Sequence, residues 1–293
     1  MSVEVDEALL RAWPLPEPDA DADKEDRGRV LVIAGSRETP GAAVLAATAA
    51  LRAGAGKLAV ATPESAHAIV AAALPEARVI ALPESREGGL RDEGVKLLVE
   101  RIHATHAVLM GPGLLGCDAT AGFVNALLPH VRHGVTVLDA AALDVVAVLE
   151  RFDQPVILTP HAGEMAHVAG CAKEDVRANA QEMALKQARA WNATVALKGA
   201  VTWIARPDGR LWRHDGHTPG LAMSGSGDVL AGVIAGLAAR GADAAQAAVW
   251  GVALHARAGE ALAQEAGTVG YLARELATRV PAMLERLAAP GRP

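Results

Sequence analysis

Short apolar runs ending in glycine or a polar residue, interleaved with helical stretches, recur along most of this chain. They occupy 29–34, 57–62, 107–110, 136–139, 155–159 and 194–198, and are built largely of Val, Leu, Ile and Ala. Runs this short and this continuous suit strands buried on both faces. Helical signals lie between them: small residues over 42–52 closed by Gly54, and a stretch from about 175 to 192. Buried strands alternating with helices require a mostly parallel sheet covered on both sides. Residues 201–214 read instead as a hairpin turning at Pro207-Asp208-Gly209. Three helices close the chain, the first ending at Arg240 before Gly241, the others over 244–263 and 272–288. The expected fold is α/β, with one doubly wound, mostly parallel sheet flanked by helices.

Composition agrees, because 51% of the 293 residues are hydrophobic and only 3% aromatic. Alanine-rich helices can pack closely over such a sheet. No repeat or linker divides the chain, so a single domain is expected over 27–293. Residues 1–26 form an acidic, proline-containing extension expected to pack loosely or wrap the surface. The net charge of −6 comes with no basic block, which argues against nucleic acid as a partner. No apolar run approaches membrane-spanning length, and the acidic N-terminus lacks the pattern of a signal peptide. Cys117 and Cys171 fit neither metal nor redox spacing, so a reduced, cytoplasmic setting is expected.

In folds of this kind, ligands collect at the carboxyl ends of the strands. Gly35-Ser36, Gly111-Pro-Gly113, Asp139, Thr159-Pro-His161 and Lys198-Gly199 all fall there. The most informative segment is Thr218-Pro-Gly-Leu-Ala-Met-Ser-Gly-Ser-Gly-Asp228, which runs directly into an apolar helix. A glycine turn at a helix N-terminus aims backbone N–H groups at one spot and favours an anion there. Asp228 then has two readings. It either caps the helix, or takes a proton from a hydroxyl that attacks a phosphoryl group held by the amides. His161 likewise is either hydrogen-bonded within its proline turn or a ligand contact. The small residues at 46–50 read as tight helix packing, and Trp203 with Trp212 as cross-strand packing in the hairpin.

Several motifs together resemble the ADP-dependent NAD(P)H-hydrate dehydratases, a repair-enzyme branch of the ribokinase-like superfamily. They are Gly35-Ser-Arg-Glu-Thr-Pro-Gly-Ala-Ala-Val-Leu45, Ala50-Leu-Arg-Ala-Gly-Ala-Gly56, Gly111-Pro-Gly113 and Thr159-Pro-His-Ala-Gly-Glu164. Leu197-Lys-Gly199, Ser224-Gly-Ser-Gly-Asp228, Leu254-His255 and Ala258-Gly259 continue the series in order, over about 28–285. Some relatives carry an N-terminal epimerase domain, for which this chain is expected to have no room.

The resemblance implies a ribokinase-like fold and dehydration of the (S) form of NADH hydrate or NADPH hydrate. ADP would be the phosphoryl donor and Mg²⁺ the cofactor. It gives Asp228 the role of base on the 6-hydroxyl, with Gly225, Ser226 and Gly227 holding the transferring phosphoryl group. Lys198, Gly199, Ala200, Val201 and Thr202, together with Gly227, would bind the nucleotide. Ala42, Ala43, Gly113, His161 and Asp228 would touch the hydrated dinucleotide, and Glu164 would either orient the turn or help hold a metal through water. A homo-oligomer, with a tetramer favoured, is also implied. Two positions depart from the family pattern: Ala141 stands where a carboxylate is usual, and Thr218 where asparagine is frequent. A small-molecule kinase of the same superfamily and a nucleotide sensor without catalysis are the rival readings.

Overall fold

The computed structural model describes residues 2–287, apart from 18–20, 22, 150 and 217. Its strands, in chain order, are β1 (Val3–Glu4), β2 (Arg29–Ile33), β3 (Lys57–Pro63), β4 (Arg78–Leu82) and β5 (Ala107–Met110). They continue with β6 (Val135–Leu138), β7 (Val156–Leu158), β8 (Thr194–Leu197), β9 (Val201–Ala205) and β10 (Leu211–Asp215). All lie in one sheet, ordered β1-β10-β9-β8-β7-β6-β5-β2-β3-β4. Neighbours from β8 through to β4 are parallel, while β9 is antiparallel to both β8 and β10. The doubly wound expectation is met. β4 lies outside the runs read from the sequence and closes the far edge, where most of its residues remain partly exposed.

The helices are α1 (Glu7–Ala12), α2 (Pro40–Arg52), α3 (Glu64–Ala73), α4 (Val99–Ile102), α5 (Asp118–Leu127) and α6 (Ala162–Ala169). They continue with α7 (Lys173–Ala178), α8 (Ala180–Trp191), α9 (Ser226–Ala239), α10 (Ala244–Ala266) and α11 (Ala273–Leu287). The predicted helix over 244–263 runs on to Ala266, and residue 288 of the last predicted helix lies outside the described residues. Strand side chains alternate between two cores, as period two demands. Val30 and Val32 face one core beneath α2, α9, α10 and α11, and Leu31 and Ile33 face the other beneath α5, α6 and α8. Among the described residues no helix is long and apolar enough to cross a membrane.

Small residues bring α2 and α9 into backbone contact. A Cβ at Gly232 would lie 2.2 Å from the Ala46 carbonyl oxygen, and one at Gly236 would lie 2.3 Å from that of Ala50. The alanine run at 46–50 therefore does the packing expected of it. It also fixes α9, whose N-terminus opens at the carboxyl edge of the sheet.

The N-terminal segment does more than wrap loosely. β1 pairs with β10, Leu10 is buried, and the indole of Trp250 donates to the Trp13 carbonyl at 2.8 Å. Trp13 also stacks on Trp212 with ring centroids 5.6 Å apart. Cross-strand packing of Trp203 on Trp212 is thereby corrected. The register sets Trp203 opposite Arg213 and Trp212 opposite Ile204, so the two indoles lie on opposite faces of the hairpin.

Candidate active site

The carboxyl ends of β6, β7 and β8 converge on Lys198. Its Nζ donates to Asp139 Oδ1 at 2.9 Å and lies 3.9 Å from Glu164 Oε2. Asp139 Oδ1 also accepts from the Thr159 hydroxyl at 2.7 Å. Asp139 is almost wholly buried, its side chain 4% exposed, and burying a carboxylate without such partners is costly. The turn that aims it is strained: Ala140 has φ +48°, in the left-handed region that costs an L-residue about 1 kcal/mol. Gly111 makes room for this turn, because a Cβ there would lie 1.7 Å from the Asp139 carbonyl oxygen.

Burial alone would lower the Lys198 pKa, but the carboxylates of Asp139, Glu164 and Asp228 raise it on balance, so the ammonium stays charged. Its position matters: Nζ is 3.4 Å from where a Cβ would stand on Gly227. A fixed cation therefore stands against the first turn of α9.

α9 starts without a capping side chain. Gly225 is the N-cap at φ +87°, and a Cβ there would meet Leu45 Cδ1 at 2.7 Å. The Ser226 amide makes a long 3.3 Å bond to the Met223 carbonyl. Asp228 sits in this first turn and does not cap it, which removes the simpler of its two readings. Its pKa is raised to about 7, first by burial and then by the charge of Asp139, with Lys198 opposing. A carboxylate held near neutrality accepts a proton at physiological pH and gives it up again readily.

Behind this turn stands His255 of α10. Its Nε2 lies 3.0 Å from both Ser226 Oγ and the Ser226 carbonyl oxygen. Burial lowers its pKa to about 4, so the ring is neutral.

α6 starts in the opposite way. His161 Nδ1 accepts from the amides of Gly163 at 2.9 Å and Glu164 at 3.1 Å, while Glu164 Oε2 accepts from the His161 amide at 2.7 Å. That is a complete capping box. Nδ1 as acceptor puts the ring proton on Nε2, which lies 3.6 Å from Glu164 Oε1 on a ring that is itself exposed. The hydrogen-bonded reading of His161 is thus correct.

Of the other residues singled out in the sequence, Gly113 and Ala42 meet. A Cβ on Gly113 would lie 2.4 Å from Ala42 Cβ, and the Thr39 hydroxyl donates to the Gly113 carbonyl at 2.8 Å. Ala43 is fully buried beneath Gly35, so any role toward a ligand runs through its main chain. Lys198, Gly199, Ala200, Thr202 and Gly227 share one cavity of about 670 Å³, walled also by Thr218, Ser226 and His255. Val201 leaves this group. The alternation along β9 turns it to a second cavity on the other face of the sheet. The departure at Thr218 thus falls on the cavity wall, whereas Ala141 packs into the second core with its Cβ 3.9 Å from a Cβ built on Gly116.

Sequence reasoning placed Asp139 and Thr159 at strand ends and named His255 only as part of a motif, and it gave none of the three a task. The signals were there, a carboxylate and a hydroxyl at the ends of apolar runs and a histidine in the Leu254-His255 pair, but the contacts that join them to Lys198 and Ser226 are not local. For metal binding, no group of three His, Cys, Asp or Glu is placed to hold an ion among the described residues. Asp139 is engaged by Lys198 and Thr159, and Glu164 by the cap of α6. These residues do not form a protein-built metal centre.

A family model described as NAD(P)H-hydrate dehydratase matches residues 30–282. An ADP-dependent (S)-NAD(P)H-hydrate dehydratase of Xanthomonas campestris is 48% identical over 280 residues, 96% of this chain and 95% of its own. A crystal structure of an ADP/ATP-dependent NAD(P)H-hydrate dehydratase from Bacillus subtilis, co-crystallised with ATP and Mg²⁺, matches with a TM-score of 0.84. It is 31% identical, covering 98% of this chain and 99% of that one. A ribokinase-like superfamily protein from Enterococcus faecalis also gives 0.84, at 26% identity over 99% of this chain and 97% of its own. Bifunctional NAD(P)H-hydrate repair enzymes match as well, and this chain spans about half their length.

Proposed function

The chain belongs to the NAD(P)H-hydrate dehydratase family, and from that premise we propose that it restores NADH or NADPH from the (S)-hydrate at the expense of ADP. The fold is ribokinase-like, as its structural neighbours are. One observation carries the catalytic assignment: a carboxylate with a pKa of about 7 stands in the uncapped first turn of a helix, beside a charged lysine.

Hydration places a hydroxyl on C6 of the nicotinamide ring, and hydroxide is a poor leaving group. Asp228 takes the proton of that hydroxyl as its oxygen attacks the β-phosphorus of ADP, and AMP departs. Amides of Gly225, Ser226 and Gly227, together with Lys198, stabilise the equatorial phosphoryl oxygens. The C6–O bond then breaks with phosphate as leaving group while the ring nitrogen supplies electrons. Loss of a proton from C5 restores the ring, so the products are NAD(P)H, AMP and phosphate.

The cavity lined by Lys198, Gly199, Ala200, Thr202 and Gly227 receives the nucleotide. Mg²⁺ would neutralise charge on the diphosphate, and Glu164 would help hold it through water. His161 Nε2–H, Gly113 and Ala42 contact the hydrated dinucleotide. A cytoplasmic location and a homotetramer belong to the same reading. The alanine-rich faces of α2, α9 and α10 are used inside the protomer, so exposed Ile69, Val269 and Leu272 are the better candidates for subunit contacts.

The test is recovery of reduced-nicotinamide absorbance when purified protein meets NADH hydrate and Mg²⁺ with ADP, and separately with ATP. Recovery with ADP supports the reading in full, and recovery with ATP alone corrects the donor. No recovery from a folded sample with either nucleotide refutes it.

A further inference from the structure

The connection from β8 to β9 separates two cavities, and the function above uses only one. Lys198, Gly199, Ala200 and His161 line both. The second cavity, of about 1000 Å³, lies on the opposite face of the hairpin, bounded by α7 and the start of α8. It therefore opens from the reaction centre in a direction the donor nucleotide does not take.

Its charge is lopsided. Lys173 and Arg177 lie four residues apart on α7, the spacing that brings two side chains to one side of a helix. Neither makes an ion pair or side-chain hydrogen bond among the described residues, in contrast to Arg213 on the same wall, which is held by Glu4 and Asp215. Glu182 is the single acidic side chain of the lining. The floor carries Trp203, half-buried and set opposite Arg213, with no aromatic partner among the described residues. A flat indole near two unengaged cations suits a purine nucleotide bearing a phosphate.

We propose that this cavity holds the unreactive adenosine half of the hydrated dinucleotide, with Lys173 and Arg177 meeting the 2′-phosphate that distinguishes NADPH hydrate from NADH hydrate. The proposal rests on the dehydratase reading. With the reacting ring at Asp228 and the donor in the first cavity, the rest of the substrate leaves past His161 and Lys198. The adenine stacks on Trp203, and the 2′-phosphate faces α7.

Two measurements test it. In steady-state kinetics with each hydrate, Lys173→Ala/Arg177→Ala raises KM for NADPH hydrate about tenfold, leaves KM for NADH hydrate within about twofold, and spares kcat for both. Both side chains are exposed, so the fold survives their loss. Trp203→Leu, by contrast, raises both KM values alike. Equal effects of the double variant on the two hydrates, or none, overturn the proposal. The second measurement needs no turnover: calorimetric titration with adenosine 2′,5′-bisphosphate in the presence of excess ADP. Binding that persists under ADP and weakens about tenfold in the double variant supports the site, even if neither hydrate is turned over and the dehydratase reading falls. Binding abolished by ADP places the probe in the first cavity and overturns the proposal.

Discussion

Two helices begin on either side of Lys198, and they begin in opposite ways. At α6 the amides of Gly163 and Glu164 are consumed by His161, and the His161 amide by Glu164. At α9 no side chain caps the turn, and the N-cap is a glycine at φ +87°. A third start, that of α10, is capped by Asp243 in the ordinary way, far from the site. A helix N-terminus costs stability when its donors are unmet, so an uncapped one beside a fixed cation is kept open for an anion. The closed start of α6 serves another end, since it fixes the orientation of an exposed imidazole. The difference shows that a helix start at a strand end is no evidence of anion binding until its caps have been examined.

The largest effect should come from the open start. Asp228→Asn removes the proton acceptor and should lower kcat about 10²–10⁴-fold while ADP still binds, as read by turnover and calorimetry. In the unsubstituted protein kcat/KM should rise with pH and level off above about 7, because only the ionised carboxylate accepts a proton. The asparagine variant should lack that limb. Near-normal turnover by it would return Asp228 to a structural role.

Next in size is Lys198→Met, which should raise KM for ADP roughly ten- to a hundredfold, in the range of a lost charged phosphate contact. It should also move the rising limb of the pH profile upward. Lys198 opposes the rise in the Asp228 pKa, and its loss leaves Asp139 unpaired nearby. A limb that stays put would mean the lysine and the aspartate do not sense each other.

His255 supports the open start from behind, and its effect is read on stability. Its pKa falls from 6.5 to about 4 on folding, so the unfolded chain binds more protons between those values. Stability should therefore rise with pH across that window and be lost as pH falls through it. His255→Gln should flatten that dependence, whatever it does to stability at neutral pH. An unchanged slope between pH 6 and pH 4 (about the span of the shift) in urea titrations would show that the imidazole ionises freely.

Much of this was legible in the sequence, for reasons particular to each part. Strands β2, β3, β5, β6, β7 and β8 announce themselves because burial on both faces leaves no charged residue inside the apolar run, only the buried hydroxyls of Thr62 in β3 and Thr136 in β6. The start of α9 is legible because only glycine tolerates what happens at its N-cap: a positive φ at Gly225, with a Cβ there 2.7 Å from Leu45 Cδ1. Other features depend on distance in the fold. Nothing local says that Asp139 meets Lys198 59 residues later, or that His255 reaches Ser226 across 29. The pairing of Trp13 with Trp212 is of the same kind, and so is the turning of Val201 away from its neighbours. Register decides these, and register is set by the whole sheet.

The smallest effect tests the closed start. His161→Ala removes the side-chain acceptor of the α6 cap and should cost about 1 kcal/mol, a fall in Tm of roughly 2–4 °C for a chain of this size. His161→Asn keeps a carbonyl oxygen where Nδ1 was, and asparagine is among the best N-caps, so it should recover most of that loss. Activity should separate from stability here. If Nε2–H contacts the hydrated dinucleotide, both variants raise KM for the hydrate, because asparagine restores the cap without restoring the ring N–H. Should asparagine restore KM together with Tm, then His161 acts only by holding the turn. The contrast between the two helix starts would then be one between a structural cap and a functional gap. Thermal melts and hydrate KM measured on the same two variants decide between these outcomes.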